Sequence, residues 1–81
     1  MINQYKVLAF GITRQLLGGK EAIIEVEGNK VRDLRQALSA RFPELNDLRS
    51  LYIAVNSGYS DEDQELTSSD EIALIPPVSG G

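Results

Sequence analysis

The sequence predicts an α+β domain in which a mixed sheet of four to five strands carries one main helix packed across one face. Three observations predict it. Short runs rich in strand formers recur at residues 5–10 (YKVLAF), 22–27 (AIIEVE), 51–56 (LYIAVN) and 71–75 (EIALI). Only residues 31–42 switch to a helical period, with Val31, Leu34, Leu38 and Phe42 at i, i+3, i+7 and i+11. At 81 residues the chain has room for one modest core and no second lobe.

The first run is apolar apart from Lys6 and reads as a strand broken by Gly11. Residues 12–17 fit a short turn or a single helical turn, and Gly18-Gly19 is a hairpin signal that makes the second strand antiparallel to the first. Gly28-Asn29 marks a turn, with Asn29 the best-suited N-cap for the helix that follows. Ala37 shares the apolar helical stripe, whereas Arg32, Asp33, Gln36 and Arg41 lie towards the other side. Pro43 ends the helix: it cannot donate a continuing bond, and it pushes Phe42 out of the α region. Residues 44–49 read as a short turn packed by Leu45 and Leu48, and residues 51–56 as the third strand. The loop at 57–65, with Gly58 and the acidic residues Asp61, Glu62 and Asp63, has room for a short edge strand. A turn at 67–70 leads into the last strand.

Hairpin, helix, strand, irregular region, strand is the order of the β-grasp arrangement, in which the first and last strands are neighbours. Strand parity then has a consequence. If Val7, Ala9, Ile72 and Leu74 point at the helix, then Leu8, Phe10, Ala73 and Ile75 share the opposite face. One helix cannot cover both sides of a sheet, so this apolar patch predicts a docking surface. The alternative is that the loop at 57–65 or the turn at 12–17 folds over it.

Composition excludes several classes of function. The 42% hydrophobic and 25% charged content is that of a globular domain. A net charge of −4 without a Lys/Arg run argues against nucleic-acid binding. The apolar stretches are too short to cross a membrane, and MINQYKVLAFG lacks the basic and apolar regions of a signal peptide, so the expected location is cytoplasmic. With no Cys and no His, the chain has no thiolate, no imidazole base and none of the commonest metal ligands, and no metal site is expected.

The remaining chemistry lies in the last seven residues, IPPVSGG. The division expected is a folded domain at 1–75 and an extended tail at 76–81. Pro76 and Pro77 fix φ and offer no N–H groups, so strand pairing stops and the chain leaves extended. Beyond Ile75 the tail can reach at most roughly 17 Å from Pro77 to its end. Gly80 and Gly81 have no Cβ, so the tip fits a channel too narrow for other residues. What it presents there is a carboxylate, ionised at neutral pH and a poor electrophile until activated, most simply as a mixed anhydride with a nucleotide. The sequence has no GxxxxGK[ST] phosphate loop, so a separate enzyme must activate it.

These residues resemble the sulfur-carrier (small) subunits of molybdopterin synthase, within the ubiquitin-like β-grasp group. The resemblance spans the chain: KVLAFG, Arg14-Gln15-Leu16, the Val31/Leu34-Arg35 helix, Ala54-Val55-Asn56, Asp70-Glu71-Ile72-Ala73 and, most specifically, Pro76-Pro77-Val78-Ser79-Gly80-Gly81. It implies that an adenylyltransferase of the ubiquitin-activating type uses ATP to make a Gly81 acyl-adenylate. A persulfide-derived sulfur then leaves a Gly81 thiocarboxylate. The loaded tail, Pro76, Pro77, Val78, Ser79 and Gly80, would insert into the large subunit and deliver sulfur to cyclic pyranopterin monophosphate. It further implies a heterotetramer with the large subunit, no cofactor bound by this chain, and partner contacts at Phe10, Tyr59 and Ile75, alongside the Leu8 and Ala73 of the uncovered face. Tyr59 rests on the resemblance alone. A thiamine-pathway sulfur carrier, a ubiquitin-like protein modifier and an interaction module with an inert tail are the other readings.

Overall fold

A computed structural model describes residues 2–47 and 51–76 of the chain. Strand β1 (Ile2–Ala9) is followed by a short helix α1 (Ile12–Leu17), strand β2 (Glu21–Glu27) and the main helix α2 (Val31–Arg41). A 3₁₀ turn (Pro43–Asp47), β3 (Tyr52–Val55), the two-residue β4 (Gly58–Tyr59) and β5 (Ile72–Ile75) complete the order. The sheet runs β2-β1-β5-β3-β4. β1 and β5 are parallel neighbours in register Val7↔Ile72 to Ala9↔Leu74, and the other pairs are antiparallel. This mixed sheet with one main helix is the predicted β-grasp arrangement.

The core forms where the two periodicities meet. Val31, Leu34 and Leu38 of α2 are completely buried against Val7, Ile24, Val26, Ile72 and Leu74, with Ala37 and Phe42 packed at the margin. β1 starts three residues earlier than its apolar run, because Ile2, Asn3 and Gln4 pair with Glu27, Val26 and Glu25. Polar residues give little strand signal alone, and here the partner strand supplies it.

β2 is antiparallel to β1, and residues 12–17 form the helical turn expected between them. Two local details are corrected. Gly18 and Gly19 end that helix rather than turn the hairpin, their N–H groups both donating to the Arg14 carbonyl (3.0 and 2.9 Å). The N-cap of α2 is Lys30 rather than Asn29. The first-turn donors of α2 are met from far along the chain, Val31 N–H by the Gln64 carbonyl and Arg32 N–H by the Glu62 carbonyl, both at 3.0 Å. Those N–H groups have no partner within the helix, and the loop backbone does what a capping side chain would otherwise do.

The Asp33 carboxylate completes this end by accepting the Lys30 N–H at 3.0 Å. Gly28, at φ +115°, makes room for it: a Cβ there would lie 2.6 Å from Asp33 Cγ and closer still to Oδ2. Gly28→Ala therefore combines backbone strain with eviction of the carboxylate, and is expected to cost roughly 2–3 kcal/mol. Urea denaturation checks this, and an unchanged midpoint would contradict it.

Candidate docking face and tail root

The face of the sheet away from α2 carries the predicted patch. Register aligns Leu8, Ala73, Ala54 and Tyr59 in one row across β1, β5, β3 and β4, and Ile75 opposite Tyr52 in the next row along β5 and β3. Phe10, Tyr52 and Tyr59 are 41, 52 and 75% exposed, so the face is uncovered at its aromatic residues. The Tyr52 and Tyr59 rings lie 5.2 Å apart, tilted by 56°. A groove of about 320 Å³ lies on this face, lined by Phe10, Ala54, Tyr59, Ala73 and Ile75, with Ser57 and Glu71 at its far end.

Neither candidate cover folds over this groove. α1 turns to the helix side, where Leu16 and Leu17 pack against the core. The acidic loop is held at α2 by Arg32–Asp63 and Arg35–Glu62 ion pairs, the latter 2.8 Å. The structure brings Phe10, Tyr59, Ala73 and Ile75 together in one groove. Leu8 stands beside Ala73 but lines a neighbouring depression with Ser69 and Asp70. Tyr52 and Ala54 belong to the face and escaped the sequence reading, although parity from the buried Ile53 and Val55 would have found them. A larger concavity of about 410 Å³ lies at the other end of β1, around Asn3, Gly28 and Thr67, away from the tail root.

The groove's far end is set by a clasp. Asn56 and Ser57, at φ 52° and 70°, form the two-residue β3–β4 turn, which needs positive φ at both positions. Asn56 Oδ1 accepts the Glu71 N–H at 3.0 Å, and its Nδ2 donates to Asp70 Oδ1 at 3.1 Å. Asp70 Oδ2 also accepts the Thr67 N–H at 2.8 Å. These bonds, the Thr67 one foremost, hold the Asp70 carboxyl below its ordinary value of 3.8. A lowered native value means that Asp70 stabilises the fold fully above the unfolded carboxyl's range. That contribution is lost as pH falls through the native value. Asp70→Asn is accordingly expected to lower stability at neutral pH, with a smaller deficit near pH ~3 as the carboxyl begins to protonate. Urea titrations at both pH values check it, and an equal deficit at both would contradict it.

At the other end the tail begins. Ile75 and Pro76 are half-buried, and residues 77–81 lie outside the described residues, so the calls on Pro77, Val78, Ser79, Gly80 and Gly81 do too. The corner after β1 lies against the tail root: Gly11 has φ +59°, and a Cβ on it would meet Pro76 Cγ at 3.1 Å. The corner is itself locked by the fully buried Thr13, whose Oγ1 accepts the Phe10 N–H (2.8 Å) and donates to the Phe10 carbonyl (2.5 Å). Thus the two residues that flank the tail root, Phe10 and Ile75, are fixed by backbone pairing and by one buried hydroxyl.

Among the described residues no group of three or more carboxylates gathers as a metal site, and no helix is long and apolar enough to cross a membrane. Residues 7–81 match the ThiS family. The chain belongs to that family. This ThiS-family chain is 35% identical to the molybdopterin synthase sulfur carrier subunit of Dictyostelium discoideum, over the whole of both chains. Three solved structures are similar in fold. One, from Pyrococcus furiosus and provisionally named molybdopterin converting factor subunit 1, has a TM-score of 0.81 at 34% identity, covering 93% of this chain and 98% of that one. The small archaeal modifier protein 1 of Methanosarcina acetivorans has a TM-score of 0.80 at 27% identity, covering 100 and 99%. A chain from the complex of subunits 1 and 2 of the Helicobacter pylori molybdopterin-converting factor has a TM-score of 0.64 at 29% identity, covering 98 and 100%.

Proposed function

We propose that this chain is the sulfur carrier of a molybdopterin synthase, with Gly81 as its loading point and the groove at Phe10, Tyr59, Ala73 and Ile75 as its docking face. The observation that carries the reading is the position of the tail root. Ile75 lines the apolar groove, and the tail starts at the next residue, Pro76. A partner seated on the groove therefore receives the tail. The full-length likeness to named sulfur carrier subunits supports the same assignment, and the Helicobacter pylori complex of subunits 1 and 2 supports a second-subunit partner; the heterotetramer is part of the proposal.

In this cycle the Gly81 carboxylate attacks the α-phosphorus of ATP in a separate activating enzyme, releasing pyrophosphate and forming an acyl-adenylate. The terminal sulfur of a cysteine persulfide then attacks the acyl carbon and expels AMP, giving an acyl disulfide. A second thiol of the sulfur-donor system cleaves its S–S bond, which releases the thiocarboxylate and leaves the donor as a disulfide. In the large subunit two loaded chains each pass one sulfur to cyclic pyranopterin monophosphate, and water restores each carboxylate. The groups of this chain bind and position, and the reacting pocket belongs to the partner. Mixing the thiocarboxylated chain with the large subunit and cyclic pyranopterin monophosphate is expected to yield molybdopterin, whereas the unloaded chain yields none. Equal product from both would refute the reading.

A protein-modifier role is the second reading, favoured by the likeness to small archaeal modifier protein 1. It predicts an isopeptide bond from Gly81 to a lysine in place of a thiocarboxylate, which peptide mass mapping separates.

A further inference from the structure

We infer that Arg14 is a docking anchor: a guanidinium held ready at the rim of the apolar groove to receive a carboxylate from the protein that seats there. The inference rests on the docking role proposed for that groove. Arg14 is an exposed residue of α1, and its Nε donates to the Ala9 carbonyl at 3.1 Å. Its Cζ lies 5.8 Å from the centre of the Phe10 ring. Phe10 is in turn fixed by the buried Thr13 hydroxyl. The cation is thus tied to the same corner that fixes the Phe10 backbone.

Charge distribution sets the partner's chemistry. Lys6, Arg32 and Arg35 are each paired with a carboxylate, Glu21, Asp63 and Glu62 respectively. Among the described residues Arg14 has no carboxylate partner. With Nε committed to Ala9, both Nη groups remain, and together they present the flat fork that fits a carboxylate with two parallel bonds. The ordering of a long side chain, normally charged against binding, is already met in the free protein. The groove is also polar along its length. Glu71 lies at the end where β5 starts, and Arg14 stands by Phe10 at the end where β5 finishes. A partner with a carboxylate beside its apolar contact is attracted in one direction and repelled in the reverse one, so the pair fixes docking register.

Arg41 provides an internal control. It has the same local chemistry, with its Cζ 5.4 Å from the Phe42 ring and Nη1 donating to the Ile23 carbonyl at 3.1 Å, but it lies on α2, across the sheet from the groove. If an arginine of this kind only satisfied a strand carbonyl, Arg14 and Arg41 would behave alike.

The test is calorimetric titration of the full chain with the molybdopterin synthase large subunit, for the parent, Arg14→Gln, Arg14→Lys, Arg41→Gln and Ile75→Asp, with the melting temperature of each variant measured alongside. Arg14→Gln is expected to raise Kd roughly tenfold at about 50 mM salt, with a smaller loss near 500 mM. Arg14→Lys should recover part of the affinity, and Arg41→Gln should bind as the parent does. Parental affinity in Arg14→Gln, or an equal loss in Arg41→Gln, would overturn the anchor while leaving the docking face intact. Failure of the parent itself to bind would instead overturn the docking role, and the anchor with it.

Discussion

Deleting Gly81 is expected to abolish sulfur loading, to below one part in a hundred of the parent's rate on the order of detection limits, while the fold and its denaturation midpoint stay unchanged. The chemistry requires this. The activating step makes a bond to a terminal carboxylate, and loss of one residue withdraws that carboxylate by about 3.5 Å. A reacting group displaced by even 1 Å loses much of its rate, because attack geometry supplies a large share of the acceleration. Gly81 has no side chain to pack, and among the described residues the buried apolar side chains lie between Tyr5 and Leu74, so the truncation is expected to leave the core intact. A truncated chain that still supported synthase activity would refute the role of Gly81.

The second large effect is at the docking face. Phe10→Asp and Ile75→Asp are each expected to weaken binding to the large subunit roughly 100-fold, because each buries an unpaired carboxylate in an apolar contact. The two substitutions test different strands. Phe10 stands at the end of β1 and is 41% exposed in the free chain, so its replacement leaves the core alone. Ile75 is the last residue of β5, half-buried and opposite Tyr52, so its replacement carries some cost in stability as well. Titration calorimetry with parallel melting curves separates the two contributions. Unchanged affinity in both variants would remove the docking face.

Much of this architecture was legible in the sequence because it rests on local periodicity. The spacing of Val31, Leu34 and Leu38 places them against the sheet, and the alternation in β1 and β5 leaves Phe10, Ala73 and Ile75 on the far side. Parity arguments work when both strands have one buried face, since a one-residue slip would expose the core. Some of the features that escaped depend on contacts distant in sequence, and others on local signals that read two ways. Lys30 is the N-cap because Asp33 and the carbonyls of Glu62 and Gln64 complete that helix end, and the last two lie some thirty residues away. Gly18 reads as a hairpin signal because a glycine that ends a short helix looks the same as one that turns a hairpin. Tyr59 had no local signal: its place on the face comes from the β3–β4 register set by Asn56 and Ser57. The Arg14 segment likewise carried only a resemblance until its contacts with Ala9 and Phe10 gave it a physical role.

The claim on which the rest depends is that the chain's end is a chemical cargo site and the domain behind it a handle. Intact mass spectrometry after incubation with ATP, the activating enzyme and a sulfur donor tests it most directly. The account predicts a gain equal to the difference between one sulfur and one oxygen atom, lost again when the large subunit and its substrate are added. A mass that never changes would contradict it.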